Sequence, residues 1–483
     1  MEPVELRGRR VLVVGLGVSG RAAASALRTA GALVTTLDER APDADLRAAD
    51  EADLGEIDLV VASPGWPPTS GVLERAQALG TPVWSEVELA WRLRVDRGDG
   101  RGPAPWLVLT GTNGKTTTVG MLEAILTAAG ERAPAVGNVG TPVVEAATEP
   151  SNDVLAVELS SFQLHFTHTM TAQAAALLNI APDHLDWHGT FDAYVADKAR
   201  IFAGVEVACV YGAPDVLVEQ LVRDAEVTEG ARAVGVTLGA PGPGQLGIVD
   251  GLLVDRAFHA PADDPGRKGS AAELGTLDDL AALAGPDGRL APHVLTDALT
   301  AAALARAHGV PARAVRDGLR AYRAGAHRIE HVGTVDGASY VDDSKATNAH
   351  AAAASLAAYP TGSVVWIAGG LAKGARFDEL LEARGDRLRA VVLIGRDPEP
   401  WVEALARHAS AIPVVRIDPT DTGSVMTRAV QEAHRLAAPG ATVLLAPAAA
   451  SMDQFDSYAD RGVAFARAVG DLAARRHAPG TDH

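Results

Sequence analysis

Residues 105–130 read PWLVLTGTNGKTTTVGMLEAILTAAG. An apolar run of strand length meets a turn with two glycines, and the turn runs straight into a helix-like segment. Backbone N–H groups of such a turn, with the start of the helix, face an anion. Gly114, Lys115 and Thr116 match the end of a phosphate-binding loop, in which the lysine neutralises the β- and γ-phosphates and the threonine hydroxyl ligates Mg2+. The spacing departs from GxxxxGK, whose first glycine falls at Leu109. A bare strand-turn-helix is the alternative reading. The stretch predicts an ATP site built from Gly111, Thr112, Asn113, Gly114, Lys115, Thr116 and Thr117 in an α/β domain.

Working outward, residues 9–38 repeat the pattern: a strand (RRVLVVG), a glycine turn (GLGVSG), a helix (RAAASALRTAG) and a second strand (ALVTTLDER) reaching Asp38. Gly15, Gly17 and Gly20 form GxGxxG, and the whole reads as a mononucleotide-binding βαβ unit. A dinucleotide, another nucleotide or a ligand-free tight turn all fit this signature. IDLVVASPG and TPVWSE read as the next parallel strands, and RVDRGDGRGPAP, residues 94–105, as a linker. Further on, DVLAVELSSFQL and AAALLNIAPDH read as strands. Residues 212–292, rich in Pro, Gly and Asp, read as surface excursions with short strands, and AYRAGAHR reads as a second linker. The remainder alternates strands (SYVDDS, SVVWIAGG, AVVLIG, PVVRI, TVLLAP) with Ala-rich helices, again a parallel sheet, before a tail, RHAPGTDH, expected to fray. The expected fold is α/β with three domains, at 1–100, 101–325 and 326–483.

Charge and composition narrow the function classes. A net charge of −18 argues against non-specific nucleic-acid or membrane binding, which needs a basic face. The single cysteine, Cys209, leaves no internal disulfide framework, and no apolar run approaches bilayer length. The N-terminus lacks the pattern of a signal peptide, so a cytoplasmic location is expected. Of the 43 Lys and Arg residues only five are lysine: Lys115, Lys198, Lys268, Lys345 and Lys373. A chain that uses arginine almost everywhere keeps lysine where arginine does not serve.

An ATP site needs a hard cation with oxygen ligands. Glu158 ends the strand DVLAVE at the edge where parallel sheets bind ligands, which suits a metal or water-positioning role over that of a solvated acid. After the next strand Asp183, His184, Asp186 and His188 crowd one loop, and some of them are expected to face the phosphates.

GTNGKTTT at 111–118, GNVG at 137–140, ELSSFQL at 158–164, NIAPDHLDWHG at 179–189, YVADKARIF at 194–202, HR at 327–328, DDSKATN at 342–348 and SMDQFDSYADRG at 451–462 together resemble the ATP-dependent Mur ligases. These enzymes build the peptide stem of bacterial cell-wall precursors. The DSKATN and SxDQF motifs and the GLGxSG turn resemble the branch that adds D-glutamate, and the DNPR motif of the diaminopimelate- or lysine-adding branch is absent.

The resemblance implies a Rossmann-like UDP-binding domain, a P-loop ATPase-like domain and a C-terminal Rossmann-like domain. It implies that ATP phosphorylates the carboxylate of UDP-N-acetylmuramoyl-L-alanine, and that D-glutamate attacks the acyl phosphate through a tetrahedral intermediate. Lys115, Glu158, His184 and Lys198 are the implied catalytic residues. Two Mg2+ ions are implied, held by Thr116, Glu158, His184 and a CO2-derived carbamate on Lys198. Arg328, Asp343 and Lys345 are the implied ATP contacts beyond the loop. Gly15, Gly17, Ser19, Gly20, Asp38, Arg40, Ser63, Pro64, Gly65, Asn138, Ser160, Gln163 and His184 are implied for the UDP-linked acceptor, and Thr347, Lys373, Ser451 and Tyr458 for D-glutamate. No nucleic acid or membrane insertion is implied, and a monomer is expected.

Two departures stand out. The family's HNxxNA appears as His293-Val-Leu-Thr-Asp297-Ala, and the aromatic at the D-glutamate end, often Phe, is Tyr458. Three rivals remain: a folate polyglutamate synthetase, an NAD(P)-dependent oxidoreductase and a nucleotide-binding scaffold.

Overall fold

The computed structural model describes residues 5–98, 100–261, 263–284, 288–323, 325, 329–419 and 423–477. Among them are three sheets, in the chain order expected of an α/β protein. Most of the tail RHAPGTDH falls outside the described residues, as do His327 and Arg328.

The first sheet contains β1 (Arg10–Val14), β2 (Leu33–Leu37), β3 (Leu59–Ala62) and β4 (Val83–Ser85), all parallel in the order β2-β1-β3-β4. These are the strands read from sequence.

The second sheet runs β5 (Trp106–Thr110), β6 (Ala135–Gly137), β7 (Leu155–Glu158), β8 (Ala174–Leu177), β9 (Ala208–Gly212), β10 (Arg232–Val236), β11 (Gln245–Val249), β12 (Leu252–Asp255) and β13 (Ala272–Thr276). Its order is β13-β12-β11-β10-β9-β8-β5-β7-β6. β5, β7 and β8 are buried at every residue, as central parallel strands covered on both faces must be. Residues 212–292 are more ordered than expected, since β10 to β13 extend this same sheet. The cue lay in Asp250-Gly251: both have positive φ (49° and 80°), and they join antiparallel β11 and β12 as a two-residue hairpin.

The third sheet has the order β14-β15-β19-β16-β17-β18, formed by β14 (Glu330–Val335), β15 (Ala338–Asp342), β16 (Val364–Gly369), β17 (Leu388–Ile394), β18 (Val414–Arg416) and β19 (Thr442–Leu445). It is parallel apart from β14, which the sequence reading missed. That strand pairs antiparallel with β15 across Asp336-Gly337, a second turn of positive φ (48° and 79°).

The chain divides into two compact units, Met1–Ala282 with Val294–Tyr322, and Leu283–His293 with Arg323–His483. The first unit holds the first two sheets around one continuous apolar core. Trp91 and Trp106 meet edge to face in it at 5.0 Å. The second unit encloses the third sheet between two apolar clusters. Among the described residues no helix is long and apolar enough to cross a membrane.

Candidate active site

The phosphate-type turn leaves β5 and enters the helix Lys115–Ala128 at Gly114. Gly114 has φ 85°, and a Cβ there would meet Asp297 Oδ1 at 2.5 Å. Both reasons require glycine. Asp297, at the departure from the family pattern, is therefore buried against the turn. Asn179 splints the loop from the end of β8: its Oδ1 accepts from Asn113 N (2.9 Å) and its Nδ2 donates to Asn113 O (3.1 Å). Lys115 Nζ donates to Gly111 O (2.9 Å) and Thr112 O (3.0 Å), so the ammonium lies over the turn on carbonyl oxygens. Thr116 and Thr117 stand half-buried in the first helical turn.

Glu158 ends β7 and is fully buried. Its Oε1 accepts from Asn138 Nδ2 (2.8 Å), and Asn138 N donates to Glu158 O (2.8 Å). Neighbouring Gly137 has φ 110°, and a Cβ would fall 2.3 Å from Glu158 O. Asn138, expected at the acceptor, is thus the residue that orients this carboxylate. Glu158 Oε2 is buried with no hydrogen-bond partner. An orphaned buried carboxylate oxygen at the C-terminal edge of a parallel sheet fits a cation. Among the described residues no three His, Cys, Asp or Glu side chains form a metal cage.

Lys198 lies on the helix Phe191–Ala199, which Thr190 caps by accepting from Ala193 N (3.1 Å). It is 2% exposed. Its Nζ donates to Gly111 O (2.9 Å) and Thr110 Oγ1 (3.3 Å), and sits 4.9 Å from the Tyr194 ring centre. One turn earlier Tyr194 Oη meets Thr112 Oγ1 at 2.8 Å. One helix face therefore holds both Tyr194 and Lys198 against the phosphate turn. Burial, reinforced by the Lys115 charge and opposed by Asp183 and Glu158, moves the Lys198 ammonium well below its ordinary pKa. Its neutral amine is thereby favoured.

His184 has φ 52° and starts the short helix Leu185–His188. It packs edge to face on Phe162 at 4.8 Å, with its ring partly exposed. Of its neighbours, His188 turns inward and is buried. Ser160 and Gln163, expected at the acceptor, form a capping box at the helix Ser161–His165, and Gln163 is buried.

In the first sheet Gly15 has φ 88°, and a Cβ on Gly20 would lie 1.8 Å from Gly15 O. Gly17 caps the helix Val18–Thr29 without a side chain, which leaves the first-turn N–H groups near Ser19 open to a ligand. Ser63 Oγ donates to Gly15 O (2.7 Å), and Pro64 and Gly65 follow it. Asp38 accepts from Leu16 N (2.7 Å), Arg40 N (2.8 Å) and Ala41 N (2.9 Å), bonds that hold its carboxyl below the usual range. Arg40 itself is exposed.

In the second unit the D-glutamate candidates Thr347, Lys373 and Ser451 lie on loops at the C-terminal ends of β15, β16 and β19, and Tyr458 opens the helix Tyr458–His477. Ala448 N donates to Ala346 O (2.9 Å) and Leu371 N to Ala450 O (2.8 Å), which bring the loops of Thr347, Lys373 and Ser451 together. Lys345 Nζ stands 4.0 Å from the Tyr458 ring centre. Asp343 accepts from Ser355 Oγ. Arg461, fully buried and unassigned from sequence, donates to Ser344 Oγ (2.9 Å), Ser344 O (2.9 Å) and Ala449 O (3.1 Å), pinning two of these loops. Arg328 lies outside the described residues.

Glycine turns, a buried carboxylate beside a phosphate-type loop and a buried lysine together suit a phosphorylated ligand. Residues 109–237 match the Mur ligase middle domain, and residues 327–449 match the glutamate ligase domain of Mur ligases. The chain is 57% identical over 483 residues to the UDP-N-acetylmuramoylalanine–D-glutamate ligase of Streptomyces avermitilis, covering 97% of this chain and 99% of that one. It is 56% identical over 487 residues to the enzyme of the same name from Streptomyces coelicolor, covering 98% and 100%. The chain belongs to the Mur ligase family. Among solved structures, UDP-N-acetylmuramate-alanine ligase from Thermotoga maritima superposes with a TM-score of 0.54 at 15% identity, covering 96% of this chain and 99% of that one. Folylpolyglutamate synthase of Mycobacterium tuberculosis gives 0.51 at 17%, covering 83% and 94%. Both share the fold.

Proposed function

We infer that this chain is an ATP-dependent amide ligase that joins D-glutamate to UDP-N-acetylmuramoyl-L-alanine in peptidoglycan precursor synthesis, and so serves cell-wall biogenesis, cell shape and division. The observation that carries the reading is the orphaned Glu158 Oε2 beside a phosphate turn that Lys115 and Lys198 both touch. The full-length similarity to D-glutamate ligases selects the substrates.

A carboxylate is a poor electrophile, and the γ-phosphate repels it. Transfer of the γ-phosphoryl group forms a new O–P bond to the L-alanyl carboxylate and breaks the bond to ADP. The D-glutamate amine then adds to the acyl carbon, loses a proton, and expels phosphate from the tetrahedral intermediate. Lys115 moves from the loop carbonyls to the phosphates, while the turn's N–H groups hold their oxygens. Mg2+, two ions in this reading, supplies several kcal/mol of charge stabilisation when bound. Thr116 and Glu158 would hold one ion, and His184 and Lys198 the other.

Lys198 suits its part only after modification, because Mg2+ takes oxygen ligands, which neither the ammonium nor the neutral amine offers. Its neutral amine attacks CO2, an N–C bond forms, a C=O π pair moves to oxygen and a proton leaves. The side chain thus goes from neutral amine to a −1 carbamate, two protons in all having passed to water from the +1 ammonium. Burial that favours the neutral amine supports this step; arginine cannot follow it.

The glycine turn at Gly15–Gly20, with Asp38, Arg40 and Ser63 to Gly65, takes the UDP end of the acceptor, and Asn138, Ser160, Gln163 and His184 the sugar and peptide side. Arg328, Asp343 and Lys345 contact ATP from the third sheet's domain, and Thr347, Lys373, Ser451 and Tyr458 hold D-glutamate. Domains at 1–100, 101–325 and 326–483, a cytoplasmic location and a monomer belong to the same reading. The test is ATP-dependent phosphate release that requires both UDP-N-acetylmuramoyl-L-alanine and D-glutamate; release without amino-acid selectivity, or NADH consumption instead, overturns it.

A further inference from the structure

Ser161, His188 and Asp197 have no role in the reading above, yet they form one continuous hydrogen-bonded series. His188 Nε2 is 2.9 Å from Ser161 Oγ, and its Nδ1 is 3.0 Å from Asp197 Oδ2. The same Asp197 oxygen is 2.8 Å from His165 Nδ1, and Oδ1 is 3.3 Å from Arg200 Nε. The series is shut away from water: the side chain of His188 is 0% exposed, that of Asp197 6%, and Ser161 2%. Rings of Trp187, Tyr194 and Phe162 lie 4.5, 5.2 and 5.6 Å from the His188 ring and fix its plane.

Serine, histidine and aspartate in this order make the hydrogen bonds of a hydrolase triad. Nucleophilic use is ruled out by burial, because no substrate carbonyl reaches Ser161. The purpose follows from where each member sits. Ser161 comes three residues after Glu158 and opens the helix that leaves β7. His188 closes the short helix that His184 opens, and its N donates to His184 O at 3.1 Å. Asp197 immediately precedes Lys198. Glu158, His184 and Lys198 thus each lie on a segment that contributes one member of the series.

We propose that the Ser161–His188–Asp197 series, braced by His165, is a positioning relay that holds Glu158, His184 and Lys198 in one mutual register. The inference rests on the proposed role of those three residues toward the phosphate-bound ions. Outer partners that orient metal ligands change affinity or activity by about 10- to 100-fold. Asp197→Asn turns one carboxylate oxygen into a donor, so the side chain no longer offers acceptors to both imidazoles with full charge. The expected result is kcat lower by about 10- to 100-fold with a raised Mg2+ requirement, while KM for D-glutamate stays unchanged. Ser161→Ala should follow in the same direction and Ser161→Thr, which keeps the hydroxyl, should restore most of the activity.

A second readout needs neither nucleotide nor metal. Protein equilibrated with 13C-bicarbonate should give a lysine carbamate resonance that is absent in Lys198→Ala and weakened or shifted in Asp197→Asn. If Asp197→Asn fails to fold, Ser161→Ala, which removes a single hydrogen bond, takes its place in both measurements. A variant that melts earlier but keeps kcat, Mg2+ dependence and the carbamate line overturns the relay, since the series is then structural only. Full activity of Lys198→Ala instead overturns the underlying reading of the site, whatever Asp197→Asn does.

Discussion

Glu86 and Glu158 are near twins in geometry. Each is buried and accepts one hydrogen bond on Oε1, at 2.6 Å from Val144 N for Glu86 and 2.8 Å from Asn138 Nδ2 for Glu158. Each keeps an Oε2 that is buried without a hydrogen-bond partner. Their surroundings differ. Glu158 ends a strand beside a phosphate turn, close enough to Lys198 for its charge to act on that amine. Glu86 opens the helix Glu86–Leu93 against the helix Val143–Ala147, where the charge that acts on it is another carboxylate, Glu145. A buried carboxylate oxygen must be completed by something. In the function proposed above a cation completes Glu158, whereas burial beside the Glu145 charge raises the Glu86 carboxyl and so favours a proton there.

The largest effect expected from this contrast is on Glu158. Glu158→Gln keeps the volume and removes the charge, and should lower kcat by about 100- to 1,000-fold, the scale of losing one charge-stabilising group at a reacting phosphoryl centre. Glu86→Gln, which mimics the protonated state, should leave steady-state phosphate release close to that of the parent. Equal losses in the two variants would erase the distinction.

Lys198→Ala is expected to cost about 100-fold or more by the same electrostatic argument, and to regain part of the activity when short carboxylic acids are added. Lys198→Arg should be as inactive as the alanine variant. Full activity in Lys198→Ala removes the carbamate from the mechanism.

Asn138 sharpens the comparison from the side. Asn138→Ala leaves Glu158 present but free to turn, so the loss should be smaller, about 10- to 100-fold, with a higher Mg2+ concentration needed for half-maximal rate. A raised KM for the UDP-linked acceptor at unchanged Mg2+ dependence would return Asn138 to the substrate-contact role expected from sequence.

How much of this was legible beforehand differs from residue to residue. WLVLT and LAVE were readable as buried parallel strands because every residue is apolar up to the functional end. Gly114, Lys115 and Glu158 stood out because their chemistry or spacing is local, whereas Lys198 stood out only by the scarcity of lysine and took its role from the resemblance. The pairing of Asn138 with Glu158 was not, since 20 positions separate them and only the β6–β7 register brings them together. Asp197 was hidden for the same reason: one carboxylate collects His165 and His188 from two other segments, a meeting that no periodicity encodes. The Asp250-Gly251 hairpin was readable and missed, because the surrounding Pro, Gly and Asp content looked like a loop.

The smallest effect expected concerns Glu86 and appears in stability rather than activity. Burial first, with Glu145 adding to it and the bond from Val144 N opposing, raises the Glu86 carboxyl from 4.5 to about 7. The folded chain then holds a proton that the unfolded chain has released between these values. Stability from this group is full below pH 4.5 and is lost as pH rises through about 7. The change amounts to about 3 kcal/mol, at 1.36 kcal/mol per pKa unit. Glu86→Gln carries no titrating proton, so its urea midpoint should move less between pH 5 and pH 8 than that of the parent. Parallel midpoints across that range would mean that Glu86 is ionised in the folded chain and that its buried oxygen, like that of Glu158, is completed by something other than a proton.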